Sequence, residues 1–330
     1  MKTVIDWADN YKDCIINHMG FEKYSQEYPD DTVLFLGYGS AKNEFARFEN
    51  KNFNRKVFFN GEQPCAFLLP EIEGNYSADK EDYFNDIYTI CPYSAKWLNH
   101  IAGDNKFKPV LFPINEDNIG SSFKKKNDAI FYGGVHCPEH EELINTISKY
   151  NYKFVTMGPE YWSPNFPLKD RDKLISMITD KNVINSEKWQ ILRETRIVPV
   201  YNWLPINDTH IQNIKKYDRW EENEAFSHLE MYRAPQLKPR ISEAAFFRML
   251  MVVQEDPWNV IEEWFVPGKH FIYYKTESDL IEICDDALKN PEKYQSMVDS
   301  AYHLAVKEYT TRSILKKIMN KTPIKQSIGE

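Results

Sequence analysis

The sequence predicts an α/β fold of two consecutive halves, and three observations carry the prediction. Short apolar, β-branched and aromatic runs alternate with segments of helical period, the pattern of βαβ units built around parallel sheets. A polar stretch, residues 121–128, with Lys124, Lys125 and Lys126 in a row, separates two such series. The chain has 330 residues, enough for two hydrophobic cores of ordinary size.

In the first series, strands are expected over 3–7, 32–37, 56–60, 86–91 and 108–112. The run Thr-Val-Leu-Phe-Leu-Gly at 32–37 is apolar without alternation, as in a parallel strand buried on both faces. Helical periodicity falls over 11–28, broken near Gly20, and over 41–48 and 94–101. Turn residues punctuate these elements: Gly61-Glu62-Gln63-Pro64 after the third strand, and Pro92 and Pro113 after the fourth and fifth.

The second series opens with a strand over 129–132 and the turn Gly133-Gly134. A helix over 140–150, a strand over 153–157 and a loop over 159–170, rich in proline and aromatic residues, come next. The loop is followed by a helix over 188–194, a strand over 197–201, a helix over 240–250 and a strand over 251–254. A short helix over 260–265, a strand over 271–274, a helix over 277–288 and one or two helices over 291–319 complete the series. The tail, 320–330, is expected to be mobile.

Composition narrows the class. With 42% hydrophobic and 27% charged residues the chain reads as globular. No apolar run approaches the roughly 18–20 residues that span a bilayer. The start Met1-Lys2-Thr3-Val4-Ile5-Asp6-Trp7 lacks a secretory pattern, so a cytoplasmic protein is expected. The cysteines Cys14, Cys65, Cys91, Cys137 and Cys284 form no C-x-x-C pair and are expected as reduced thiols. A net charge of −8 disfavours nucleic acid as a partner, while remaining compatible with a small basic pocket for one diphosphate.

Residues 237–274 carry the most information. Pro239 suits the first turn of a helix, where its missing N–H costs nothing. Lys238 and Arg240 then lie beside the positive end of the helix dipole, near free backbone N–H groups, an arrangement suited to an anion. Glu243 lies on the same helical face as Arg240; taken as isolated residues, the two also fit an exposed i,i+3 ion pair.

The segment Arg240-Ile241-Ser242-Glu243-Ala244-Ala245, followed by an apolar strand, Phe265-Val266-Pro267-Gly268 and a second apolar strand, resembles the donor-binding segment of group-1-like glycosyltransferases. It is most similar to their spore-maturation (CgeB-like) branch. The similarity continues through Ser278-Asp279-Leu280 and Leu288-Lys289-Asn290-Pro291-Glu292-Lys293-Tyr294. More loosely it takes in Ile130-Phe131-Tyr132-Gly133-Gly134, and together it covers most of 128–312.

The resemblance implies the GT-B architecture, an α/β fold of two Rossmann-like domains facing a central cleft. An acceptor-side domain is expected over 1–120, a linker over 121–128, a nucleotide-sugar-binding domain over 129–310, and the end of a C-terminal helix with its tail over 311–330. The implied activity is transfer of a hexosyl or related sugar from a nucleoside-diphosphate-sugar to a hydroxyl of a glycan, protein or other acceptor. No metal and no cofactor beyond that co-substrate is implied. By the same resemblance Glu243 meets the donor ribose and Arg240, with Lys238, the phosphates. Gly133 and Gly134 allow close backbone approach to the donor, or form a plain tight turn. His136 is expected as a polar group facing the cleft, or as a satisfied loop histidine. The chain departs from the family pattern at Pro235, where many retaining members have a second glutamate, and at Arg248-Met249-Leu250, where glycine is common. The stereochemical outcome and the form of the pyrophosphate loop therefore stay open.

Several other residues invite chemistry. His136, Cys137 and His140 suggest a metal, but Pro138 and a missing fourth ligand count against structural zinc. Asp170-Arg171-Asp172 has the form of a cation-binding triplet, yet it closes a loop and does not follow a buried strand. Arg193 and Arg196 flank a strand, and one of them could reach phosphate; Arg193 and Lys188 are otherwise ordinary solvated helix residues. Gly37-Tyr38-Gly39 is half of a dinucleotide fingerprint, with Lys42 in place of the third glycine. Asp6, Glu62 and Glu71 lie at or beyond strand ends, and Glu62 is the preferred general base should the reaction invert configuration. Two rival readings are a nicotinamide-dependent oxidoreductase, which needs an intact glycine fingerprint, and a catalytically silent nucleotide- or glycan-binding module of the same fold.

Overall fold

Continuous apolar runs become buried parallel strands in this protein. The computed structural model describes residues 1–6, 19–37, 53–60, 84–103, 105–121, 123–162, 167–183, 185–217 and 219–321. The expected helix over 41–48, Tyr38, Gly39, Glu62 and Glu71 lie outside them. The described chain separates into two compact units. Unit 1 comprises 1–115, 206–237 and 309–330, and unit 2 comprises 116–205 and 238–308.

Unit 1 is built on a sheet of β1 (Lys2–Asp6), β2 (Thr32–Gly37), β3 (Arg55–Asn60), β4 (Asp86–Thr89) and β5 (Phe107–Pro109), all parallel and in that spatial order. Registers such as Leu34 opposite Val57 and Phe58 opposite Ile87 pair buried side chains across neighbouring strands, one pair on each face of the sheet. Helix α1 (Phe21–Ser25) is shorter than the described part of the expected 11–28 helix, and residues 26–28 form a turn. Helix α2 (Pro92–Ala102) starts with proline in its first turn and stops at Gly103, whose φ of 68° ends the helix at little cost.

The sequence analysis groups 206–237 with the second half, but in the structure these residues cluster with unit 1. The buried Trp97 of α2 receives Phe226 edge-on at 4.5 Å and Tyr217 at 5.2 Å, contacts that order this loop-rich segment. The end of the chain joins the same unit. Arg55 of β3 donates to the carbonyls of Ile318 (2.6 Å) and Met319 (2.8 Å) at the end of a C-terminal helix, Thr311–Met319. Its guanidinium also pairs with Asp86 at 2.8 Å.

Unit 2 carries a parallel sheet of β6 (Asn127–Tyr132), β7 (Tyr152–Thr156), β8 (Asp180–Lys181), β9 (Thr195–Val200), β10 (Leu250–Gln254) and β11 (Ile272–Tyr274). Their spatial order is β11-β10-β9-β6-β7-β8. Strands added after β6 move outward on one side and strands added after β9 on the other, so the direction of winding reverses between β6 and β9. In open α/β sheets ligands bind outside the carboxyl ends of the strands at such a switch point.

The helices of this unit are α3 (Pro138–Ile147), α4 (Arg171–Ser176), α5 (Asn185–Arg193), α6 (Pro239–Phe246), α7 (Glu277–Lys289) and α8 (Pro291–Glu308). Helix α6 is shorter than the expected 240–250, because Phe247 caps it, Arg248 turns to a φ of 52°, and Leu250 already begins β10. Residues 260–263 form a 3-10 turn in place of the expected α-helix. The span 291–319 is two helices, and the second is capped by Thr310, whose hydroxyl accepts from Ser313 N–H. Residues 121–128, expected as a linker, belong to unit 2: the N–H groups of Lys126 and Asn127 donate to Glu194 O at 2.7 and 2.9 Å. Among the described residues no helix is long and apolar enough to cross a membrane.

Candidate functional site

The site assembles at the switch point of unit 2. Strand β6 ends at Tyr132 and turns through Gly133; β9 is followed by Tyr201; α6 begins beside both. Pro239 stands in the first turn of α6 with Lys238 as the capping residue, and among the described residues no side chain caps that turn. The uncapped start leaves the dipole's positive end without a protein carboxylate in its first turn.

Arg240 is the centre of the arrangement. Its guanidinium carbon lies 5.2, 5.4 and 5.3 Å from the ring centroids of Phe131, Tyr132 and Tyr201. Lys238 Nζ lies 5.2 Å from the Tyr201 ring. Aromatic faces attract a cation and hold its side chain in place without neutralising its charge. Gly133 is required here on two counts: its φ is 122°, and a Cβ at that position would come within 3.0 Å of Arg240 Nη2. A Cβ on Gly134 would overlap the His136 ring. The glycine pair therefore makes room for side chains of the site itself.

Glu243 lies one turn further along α6 and is 2% exposed. It does not form the exposed pair with Arg240 that its spacing permits. Lys188 Nζ of α5 donates to Glu243 Oε1 at 2.6 Å, and it also sits 5.7 Å from the Tyr132 ring. A buried carboxylate needs such a partner, because desolvation otherwise costs several kcal/mol per ion, of order 3–5 when one member is removed. Burial first, and the Glu243 charge second, push the Tyr132 hydroxyl well above its ordinary range, so it stays protonated and donates to Arg240 O at 3.4 Å.

The two histidines report the local potential. Burial, followed by the Lys238 and Arg240 charges, lowers His136 to about 4. His140, 1% exposed, is held well below the usual histidine range by burial and then by Lys238, His136 and Arg240. His140 Nδ1 accepts from His136 N–H at 3.0 Å, which fixes the tautomer of its neutral ring. Both rings are uncharged at neutral pH in a field made by two cations, a place that favours an incoming anion.

The other candidates have structural occupations. Cys137 caps α3, and burial raises its thiol to about 12. Among the described residues no three His, Cys, Asp or Glu gather at metal-binding distance. Asp170 accepts from Lys173 N–H at the start of α4. The buried Glu141 fastens the same loop by accepting from the N–H groups of Lys169 (2.6 Å) and Asp170 (2.9 Å). Arg193 donates to Asn118 O at 2.9 Å and packs against Phe247. Glu62 lies outside the described residues.

By its sequence context Lys188 is a solvated helix residue, and neither Tyr132 nor Tyr201 has an expected role. The tyrosines carried a readable signal, since each ends or follows an apolar strand next to the turn that forms the site. Lys188 carried none; its partner is 55 residues away in the chain.

Comparison with known proteins bears on the family and the fold. A family model described as glycosyl transferase-like matches residues 139–320, more than half of the chain. No curated protein sequence matches significantly. Among solved structures, Anabaena HepE in complex with UDP and glucose has a TM-score of 0.56 at 10% identity, covering 97% of this chain and 90% of its own. Sucrose-phosphate synthase from Thermosynechococcus elongatus gives 0.53 at 8% identity, covering 91% of this chain and 75% of its own. A mutant of S. aureus TarM, in complex with fondaparinux, alpha-GlcNAc-glycerol and UDP, gives 0.51 at 11% identity. That match covers 91% of this chain, which spans only 57% of the TarM length. Likeness at such identities establishes the fold, which is that of the GT-B enzymes.

Proposed function

This chain belongs to the glycosyl transferase-like family, and from that premise we propose that it moves a sugar from a nucleoside-diphosphate-sugar to an acceptor hydroxyl, with unit 2 holding the donor. The observation that carries the reading is Arg240, packed among three rings at the start of α6 with Lys238 beside it. Two cations face the place where a bridging diphosphate, with about two negative charges, has its counter-charge. Glu243, paired with Lys188, receives the ribose hydroxyls. Gly133 lets the backbone after β6 approach the phosphates or the sugar, and His136 offers a neutral imidazole beside them.

As the bond from the anomeric carbon to the diphosphate oxygen breaks, negative charge grows on the departing nucleotide. Arg240, Lys238 and the N-terminus of α6 meet that charge where it develops, which lowers the barrier more than binding the ground state does. On this reading the transfer needs no metal ion, the donor is the only co-substrate, and the sugar is a hexose or a relative of one. UDP is the nucleotide to try first, since HepE and TarM were solved with it. The motif around Arg240 and Glu243 supports placing the chain near the spore-maturation branch. Should the outcome be inversion, Glu62 is the residue we assign to deprotonate the acceptor, a glycan or protein hydroxyl.

A panel of nucleoside diphosphates and their sugars, read by thermal shift and by nucleotide release with and without EDTA, tests the proposal. One nucleotide should stabilise the protein by RT ln(1 + [L]/Kd), and its sugar should be turned over at the same rate with EDTA present. A panel in which no nucleotide shifts the melting temperature would remove the reading.

A further inference from the structure

Unit 2 has a second cluster of cations at the other end of its sheet. Lys125 precedes β6, Arg196 lies at the start of β9, and Arg248 precedes β10, so all three stand at the amino ends of strands, two of which, β6 and β9, carry the site described above at their carboxyl ends. Together they line a cavity of about 180 Å3 whose remaining wall is largely apolar, with Ile197, Leu250 and Val298. A water's share of liquid volume is about 30 Å3, so the space admits a ligand larger than a bare phosphate group.

The charges in this cavity are poorly balanced. Asp299 Oδ1 stands 3.5 Å from Arg248 Nη1, too far for a hydrogen bond, and Arg248 Nε is buried with no partner. The neighbouring carboxylates Glu194 and Asp286 are taken by Lys126 and Lys293. Among the described residues no carboxylate pairs with Arg196 or Lys125. Lys125 Nζ donates to Thr195 O (2.7 Å) and Phe247 O (2.9 Å), which uses two of its three protons. Burial, with like charge from Arg196 and Arg248, lowers Lys125 to about 7. The backbone adds an independent sign. Arg248 has a φ of 52°, a conformation that favours glycine, while its guanidinium is held 5.1 Å from the Phe123 ring and 4.1 Å from the Tyr302 ring. An arginine kept at a glycine-like position and braced by two rings on the edge of a cavity points to a use for its charge.

We propose that this cavity is an anion site separate from the donor site, in which Arg196, Arg248 and Lys125 bind inorganic phosphate or the phosphate of a small monoester whose organic part rests on the apolar wall. The dianion supplies the missing counter-charge and gives Arg248 Nε and the third Lys125 proton an acceptor.

Phosphorus NMR of the full chain tests this, with inorganic phosphate and glucose 1-phosphate as separate probes. Saturable broadening of at least one probe is expected. It should survive in Arg240→Ala, which disables the donor site, and weaken about tenfold or more in Arg196→Gln, as loss of a charged hydrogen bond implies. Arg248→Gly should weaken it too, and because glycine accepts the positive φ, that variant should melt no lower than the parent. Broadening by the ester alone identifies a monoester site, and equal broadening by both identifies a site for phosphate itself. Absence of saturable broadening, or broadening lost in Arg240→Ala and kept in Arg196→Gln, would overturn the proposal. Retained UDP stabilisation in Arg196→Gln shows that the variant is folded and that the two sites are distinct.

Discussion

Lys188 and Glu243 form an ion pair of 2.6 Å between α5 and α6, with the carboxylate 2% exposed and the ammonium partly shielded. The pair joins the stability of unit 2 to its chemistry, because the carboxylate assigned to the ribose is also a buried charge that the fold must neutralise.

Breaking this pair from one side should be worse than removing both members. Lys188→Met is expected to cost about 3–5 kcal/mol, since it strands a buried carboxylate, whereas Lys188→Met with Glu243→Met should recover most of the loss. Urea denaturation of the two single variants and the double variant gives the coupling. Additive losses would mean that the pair is screened by solvent and structurally idle.

Arg240 and Gly133 should be linked in kinetics. Arg240→Ala is expected to lower kcat about 100- to 1000-fold, the usual loss when a preorganised charge at the reacting centre is removed. Arg240→Lys keeps the charge but loses the guanidinium that lies among three rings, so an intermediate value is expected. Gly133→Ala crowds Nη2 of Arg240 and strains a φ of 122°, and its kcat should fall as well. Steady-state rates for the three variants decide the matter, and a Gly133→Ala enzyme of full activity would show that the close approach at this turn is unimportant.

His136 sets an acid limit on stability. Its folded-state pKa of about 4 lies below the ordinary value of 6.5. Between those values the unfolded chain binds a proton that the folded protein does not, so stability falls as pH drops through this window. The groups responsible, besides burial, are Lys238 and Arg240. His136→Gln should flatten the decline in melting temperature between pH 6.5 and pH 4. A diphosphate placed against those cations should raise His136 toward its ordinary value, so UDP binding at acidic pH should take up a proton. Calorimetry in buffers of different ionisation enthalpy reads that uptake directly, and binding without proton exchange would place the phosphates elsewhere.

The C-terminal helix should matter to unit 1, far from it in sequence. Truncation after Tyr309 removes the carbonyls of Ile318 and Met319 that hold Arg55. Arg55 would be left with its ion pair to Asp86, and β3 and β4 should exchange their amide protons faster. Hydrogen exchange localised to strands 55–60 and 86–89 is the expected result; unchanged protection there would mean that the helix is an accessory.

Much of this protein was legible in its sequence because the relevant signals are local. The apolar run 32–37 and the strands before Gly133 and after Arg193 are short-range patterns, and each became a parallel strand within a few residues of the expected bounds. Pro239 marked the start of α6 for a reason internal to the residue, its absent N–H. What escaped depends on partners distant in the chain. Residues 206–237 lack strong periodicity, and only Trp97, more than 100 positions earlier, draws Tyr217 and Phe226 to unit 1. The end of α6 was misplaced because Arg248 adopts a backbone conformation usually reserved for glycine, which no propensity foresees. Arg240 and Glu243 stand out from spacing and resemblance, but the rings around one and the lysine beneath the other lie in β6, just after β9 and in α5.

The position of the phosphorus atoms in a crystal of the protein grown with UDP tests the central claim most directly. The account predicts phosphate oxygens at about 2.7–3.1 Å from the Arg240 guanidinium and Lys238 Nζ, in front of Gly133 and Tyr201. A diphosphate seated among Lys125, Arg196 and Arg248, with Arg240 still packed on its rings and touching no phosphate, would contradict it.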